Sequence, residues 1–349
     1  MVISANRGYG AARLLARFGI SLFTLIKVTS PFLLFSLFIG VAAAQKPTIR
    51  TQSNVVLVPV LVRDEKHAVL YGLQADDFII EDDGVEQAVH LDEEAEFDPV
   101  SLVIAIQTGR RASYEFPRMR TLSTMLDPIL SRGQVQVAVV RFDSHVEIVR
   151  DFTSDPDLIQ RALNNLQGGD HGAAILDVVD YSVKLLKKIP QMRQRVLLLI
   201  SETRDHGSHL VNLDDLITSI GESDTVVYTL TFSPSVSNVL DTMRGTNKSE
   251  MRATVDLFAV LALARQAMRQ NTARAVAMMT GGGYQQFTSL KSFEKGMDDL
   301  SNDLHGRYLL SFEPQNPHPG RHQIRVRLKK PGNATISART TYWAPASLR

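Results

Sequence analysis

The sequence predicts an α/β fold: a doubly wound, mostly parallel sheet with a second, smaller antiparallel β-domain built from the N- and C-terminal segments. Three observations predict it. Between residues 100 and 304, short apolar runs alternate with stretches of helical period, the order of a sheet wound from strand–helix–strand units. Those runs, LVIAI (102–106) and VLLLI (196–200) among them, are continuously apolar, as strands covered on both faces are. Outside this region, RHQIRVRLKK (321–330) sets Ile324, Val326 and Leu328 against Arg325, Arg327 and Lys329, the alternation of a half-buried strand.

The elements follow in order. Arg7, Arg13, Arg17 and Lys27 precede PFLLFSLFIGVAAAQ (31–45), which ends in three alanines. A basic lead, an apolar core and a small-residue site describe a secretory signal peptide over residues 1–44, with Gln45 as the new N-terminus. An uncleaved anchor is the alternative, although Val28–Ala44 falls short of the ~20 residues of a full span. Either way the expected location is outside the cytoplasm: secreted or periplasmic, or anchored in the inner membrane with the domains outside.

Residues 46–97 form an N-terminal β segment, with a strand in NVVLVPVLVRD (54–64) and two more about the turn Asp82-Asp83-Gly84. From Asp76 to Asp98 this segment is rich in carboxylates and has no Lys or Arg. Residues 98–305 make the α/β domain. Its strands are expected at 101–107, 134–142, 145–151, 194–201, 225–232 and 284–287, and its helices at 114–131, 156–166, 173–189, 212–221, 252–279 and 289–304. SPSVSNVLDTMRGTNKSE (233–250) is a polar insert, and the methionines of AMMTGGGY (277–284) are expected to fill core gaps before a helix stop. Residues 306–345 hold GRYLLSF, RHQIRVRLKK and ATISARTTYW, strands expected to pack with 46–97 so that the acidic segment faces the basic one.

Composition narrows function by exclusion. A net charge of +1 favours neither nucleic acid nor an anionic membrane surface as partner; a membrane is involved only if the leader stays uncleaved. With no cysteine, disulfides, thiolate metal sites and a cysteine nucleophile are excluded. The sequence has no Gly-x-Ser-x-Gly, no phosphate loop, no Gly-x-Gly-x-x-Gly and no His-Glu-x-x-His.

The first central strand runs into Gln107, Thr108, Gly109, Arg110 and Arg111, and in open α/β sheets ligands sit outside such strand ends. Here the order of elements resembles a von Willebrand factor type A domain, and the flanking strands with GRYLLSF resemble related proteins common in Acidobacteria. In that family a strand end of the form Asp-x-Ser-x-Ser, a later Thr and a later Asp hold a divalent cation. Carried over, the first Asp falls on Gln107, the two Ser on Gly109 and Arg111, the Thr on Ala173 and the second Asp on Glu202. The resemblance therefore implies a degenerate site with neither metal nor cofactor.

Three readings of the strand-end residues remain open. Arg110 and Arg111 are solvated turn residues of a degenerate scaffold. Or Arg111 stands in for the ion, offering a fork to an acidic side chain of a protein partner, with Thr108 orienting it and Glu202 balancing the charge. Or Asp170, His171, Glu202, Asp205, His206 and His209 converge on a transition metal, which makes the protein a metal-dependent hydrolase using polarised water. The leading expectation is an exported, non-enzymatic protein-binding or adhesion module.

Overall fold

The computed structural model describes residues 55–92, 99–109, 112–119, 121–131, 134–189, 194–232 and 265–344. The leader, the insert at 233–250, and Arg110 and Arg111 lie outside the described residues.

Strand β1 (Val56–Arg63) buries Val56, Val58, Val60 and Val62, the period of a strand with one face on a core. Strands β2 (Phe78–Asp82) and β3 (Val85–Gln87) form a hairpin. Its two turn residues, Asp83 and Gly84, have φ of 48° and 84°, the double left-handed turn that matches strand twist and that Asp-Gly favours. A short β4 (His90–Asp92) follows.

The central layer begins at β5 (Val100–Gln107), buried at every residue. It continues through β6 (Val135–Phe142), β7 (Val146–Thr153), β8 (Gln194–Ser201), β9 (Val226–Phe232) and β10 (Tyr284–Phe287). Their spatial order is β10-β9-β8-β5-β6-β7, parallel throughout except for the antiparallel β7. The continuous apolar run of β5 divides between two cores. Leu102, Ile104 and Ile106 face one layer, Val103 and Ala105 the other; each fully buried Leu or Ile stabilises by roughly 1.5–3 kcal/mol.

The first layer holds three short helices, α1 (Phe116–Met119), α2 (Leu122–Met125) and α3 (Asp127–Leu130), with α4 (Pro156–Asn164). The second holds α5 (Ile175–Lys187), α6 (Leu213–Gly221) and α7 (Thr272–Thr280). Helix α8 (Leu290–His305) returns to the first layer through Phe293, Met297, Leu300 and Leu304.

Strands β11 (Tyr308–Phe312), β12 (Gly320–Leu328), β13 (Thr335–Ala338) and β14 (Thr341–Ala344) complete the chain. They join the N-terminal strands in two four-stranded sheets, β13-β1-β11-β4 and β14-β12-β2-β3, which share a core of Val58, Val60, Phe78, Ile80, Leu310, Phe312 and Ile324. Glu81 of β2 lies opposite Arg325 of β12 and is ion-paired to Arg327. Arg63 of β1 pairs with Asp303 of α8, and Arg307 donates to the Gly281 carbonyl at 2.7 Å. These bonds tie the small sheets to the central layer, and Gln52–Arg349 is one compact unit.

Three expectations are corrected. The helix expected at 114–131 is a 3₁₀ turn (Ala112–Glu115) followed by α1, α2 and α3. Pro117 and Pro128 lie in the first turns of α1 and α3 and lack the N–H that a through-running helix needs. The described part of the helix expected at 252–279 is interrupted at Asn271, whose side chain caps α7 by accepting from Arg274 N at 2.9 Å. Of the two methionines expected to fill core gaps, Met279 packs against the second core, whereas Met278 is 57% exposed and fills none.

Candidate functional site at the strand ends

Strands β5 and β8 are parallel neighbours in register, with Ile106 opposite Ile200. The chain leaves β5 toward β6 on one side while β8 lies on the other, so the crevice beyond them is a topological switch point. In this register Gln107 is level with Ser201, one residue before Glu202. The side-chain Oε1 of Gln107 accepts from the Glu202 backbone N–H at 2.8 Å, and its Nε2 donates toward Glu202 Oε1 at 3.5 Å. Both residues are buried.

The neighbouring groups turn inward as well. The Thr108 N–H and hydroxyl both donate to the Phe142 carbonyl, at 2.7 and 3.2 Å. Thr108 is fully buried, so it braces β5 against β6 and cannot orient a ligand. A Cβ on Gly109 would overlap the Gly172 carbonyl; a bare backbone is needed for this approach. Ala173 exchanges two backbone hydrogen bonds with His206, at 2.7 and 3.0 Å. Arg111 lies outside the described residues.

A divalent cation of the Mg²⁺ type needs an octahedron of hard oxygens. Gln107 brings an amide already engaged with Glu202, while Gly109 and Ala173 bring no side-chain oxygen. Glu202 is the single carboxylate among these described positions, and its Oε2 stands 3.9 Å from His206 Nε2. This donor set does not fit such an ion.

The outer loops divide the remaining candidates. Asp205 is a loop brace: its Oδ1 accepts from Leu176 N at 3.1 Å and from the Ser208 hydroxyl at 2.5 Å. His209 stands 3.7 Å from the buried Asp177, whose carboxylate accepts from the backbone N–H groups of His209, Leu210 and Val211 at 3.0–3.2 Å. His171 is exposed. Asp170 joins a different pair, Asp143 and His145 of the β6–β7 turn, with ligand atoms within 4.8 Å of one another.

Backbone hydrogen bonds hold that trio. Asp143 accepts from His145 N at 2.8 Å and Asp170 N at 3.2 Å; Asp170 accepts from Ser144 N at 3.1 Å and Gly172 N at 2.7 Å. The Ser144 hydroxyl bonds the second Asp170 oxygen and is the main reason its carboxyl lies below the usual range. Of the six residues expected to converge on a metal, the structure therefore brings His206 to Glu202 and Asp170 to Asp143 and His145, without uniting them. Asp143 and His145 were not legible as ligands: Asp-Ser-His between two strands has the composition of a tight turn, and it is one.

Residues 109–204 match the model of the von Willebrand factor type A domain, a stretch running from the turn after β5 to the loop after β8. No curated protein matches the chain. Among solved structures the chain is similar to von Willebrand factor type A from Catenulispora acidiphila, at 10% identity and TM-score 0.44, over 80% of this chain and 76% of that one. It is also similar to the conserved hypothetical protein BatB from Bacteroides thetaiotaomicron, at 14% identity and TM-score 0.38, over 58% and 98%. A third is the PilB minor pilin from Streptococcus sanguinis, at 11% identity and TM-score 0.39, over 60% and 62%.

Proposed function

We propose, from the von Willebrand factor type A match over residues 109–204, that this protein is an exported, non-enzymatic binding module. It recognises a protein partner at the crevice beyond β5 and β8 by direct contact, without a shared divalent cation. Domains of this type are common protein-interaction modules. The observation that carries the reading is the pairing of Gln107 with Glu202. A neutral amide faces the single carboxylate of these described positions where a cage of hard oxygens is required. The partner's acidic side chain is assigned to Arg111, whose guanidinium offers two parallel donors. Export rests on the leader at 1–44; among the described residues no helix is long and apolar enough to cross a membrane.

The test is capture of extracellular partners by the full chain, with Mg²⁺ and with chelator. The same bound protein is expected in both, and Arg111→Ala is expected to release it. Binding that needs Mg²⁺, or that survives Arg111→Ala unchanged, overturns the proposal.

The trio of Asp143, His145 and Asp170 favours one rival, a metal-dependent hydrolase with polarised water at the rim. Stoichiometric metal lost in Asp170→Asn, together with hydrolysis lost in the same variant, is the result that selects it.

A further inference from the structure

On the two small sheets, far along the chain from the crevice residues, a second group of titratable side chains comes together. His322 of β12 is 1% exposed. Its Nε2 lies 2.8 Å from the His318 carbonyl, which can only accept, so the proton of the neutral ring is on Nε2 and the lone pair on Nδ1. That lone pair faces two carboxylates: Nδ1 is 2.9 Å from Asp83 Oδ2 and 3.3 Å from Asp82 Oδ1. His318 Nε2 is 3.6 Å from the same Asp83 oxygen. A lone pair and two anionic oxygens at such distances repel unless a positive centre lies between them.

The centre is a proton or a metal ion, and direction separates the two. A proton shared by Nδ1 and Asp83 requires the oxygen to lie nearly along the N–H bond. Neither His322 Nδ1 nor Asp82 Oδ1, both buried, has a hydrogen-bond partner, so the nearby oxygens lie off that direction. Ligands of one metal ion are offset from each other's metal bonds in the same sense. With metal–ligand bonds of about 2.0–2.2 Å, ligand atoms stand about 3.3–3.6 Å apart, and each lies some 35° off the other's bond to the metal. The His322–Asp83 and His318–Asp83 separations of 2.9 and 3.6 Å lie on either side of that edge.

The surroundings hold the ligands in place. Tyr342 donates to Asp82 Oδ2 at 2.9 Å, turning Oδ1 toward His322, and stacks on the His322 ring at 4.6 Å. Asp83 Oδ1 accepts from Gln323 N at 2.9 Å, leaving Oδ2 directed at the two histidines. His318, between Pro317 and Pro319, is exposed and stacks on His322 at 4.0 Å; a tilt of this ring brings its Nε2 to the common point.

We propose that His322 Nδ1, Asp83 Oδ2 and His318 Nε2, whose ligand atoms lie within 4.8 Å of one another, form a three-ligand site for a divalent transition metal of the Zn²⁺ type, with Asp82 packed beside it and outside the ligand set. Imidazole with carboxylate suits such an ion better than Mg²⁺. Three protein donors leave one position for water, and the ion staples the β2–β3 turn to β12 and to the loop before it.

The experiment titrates chelator-stripped full chain with ZnCl₂ and follows bound metal, calorimetric affinity and Tm. One equivalent at this site is expected, with a rise in Tm. His318→Ala and Asp83→Asn are each expected to weaken it by about 100-fold or more. Asp170→Asn is expected to leave this equivalent in place. His318 is exposed, so its replacement tests binding without threatening the fold. No bound metal, or an affinity unchanged in His318→Ala and Asp83→Asn, overturns the proposal, as does an equivalent lost only in Asp170→Asn.

Discussion

The Arg339 guanidinium, buried between the small sheets and the central layer, donates to the carbonyl of Gly221 at 2.8 Å. Gly221 is the last residue of α6, where unsatisfied carbonyls and the negative end of the helix dipole welcome a cation. Arg339 also donates to the Thr341 carbonyl at 2.9 Å. Burial is the main cause that lowers its pKa to about 10, still well above neutrality, so the charge is kept.

Replacing Arg339 with Met keeps the bulk and strands both carbonyls. Each buried acceptor left without a donor costs about 1–3 kcal/mol, so a loss of roughly 2–6 kcal/mol is expected in urea unfolding. Arg339→Lys should recover only part of it, since an ammonium lacks the planar fork. An Arg339→Met chain as stable as the parent would show that the two layers are joined by other contacts.

At the crevice, Gln107→Ala removes the acceptor of the buried Glu202 N–H and should cost about 1–3 kcal/mol. Gly109→Ser, which adds an oxygen of the kind the family uses, is expected to destabilise without creating cation affinity, because its Cβ meets the Gly172 carbonyl. Thermal melts with and without Mg²⁺ check both. A Mg²⁺-dependent rise in Tm for Gly109→Ser would contradict the donor-set argument.

The central sheet was legible because its cause is local. Leu102 to Ile106 are apolar without a break, and only a strand covered on both faces uses such a run. The breaks between the short helices at 116–130 are masked in the sequence by an apolar period that runs on through Pro117 and Pro128, although neither can extend a helix. The meeting of Gln107 with Glu202, 95 residues apart, was reachable from the sheet order, since β5 and β8 are neighbours. His322 with Asp82 and Asp83 was not. It depends on β12 crossing to pair with β2, a register that depends on the shared core and leaves no local trace.

Asp177 gives the rim loop its shape. Its buried carboxylate accepts from three successive N–H groups, those of His209, Leu210 and Val211. Asp177→Ala leaves these donors near a vacated space, and hydrogen bonds to a charged acceptor are worth about 1.5–3 kcal/mol each. Amide exchange at 209–211 should accelerate at least about tenfold, the factor of 1.4 kcal/mol, while exchange in β5 and β8 changes less. Uniform acceleration through the sheet would make Asp177 a general stabiliser rather than the mooring of this loop.

Asp303 supplies a pH dependence whose sign can be worked out. Its carboxyl on α8 is 3% exposed. Burial, the largest cause, raises its pKa above the ordinary 3.8, and Arg63 and Arg307 offset this in part. The native state therefore holds a proton in a window above 3.8 where the unfolded chain has released it. Stability must fall as pH rises through that window, by at most about 1.4 kcal/mol per pH unit. The contribution is complete below the unfolded pKa and gone above the folded one. Asp303→Asn cannot titrate and lacks the slope. The difference in unfolding free energy, parent minus Asp303→Asn, should decline as pH rises above 3.8 and level once the raised folded pKa has been passed. A difference that stays flat, or climbs, would mean that the Arg63 ion pair outweighs burial and holds the carboxylate charged throughout.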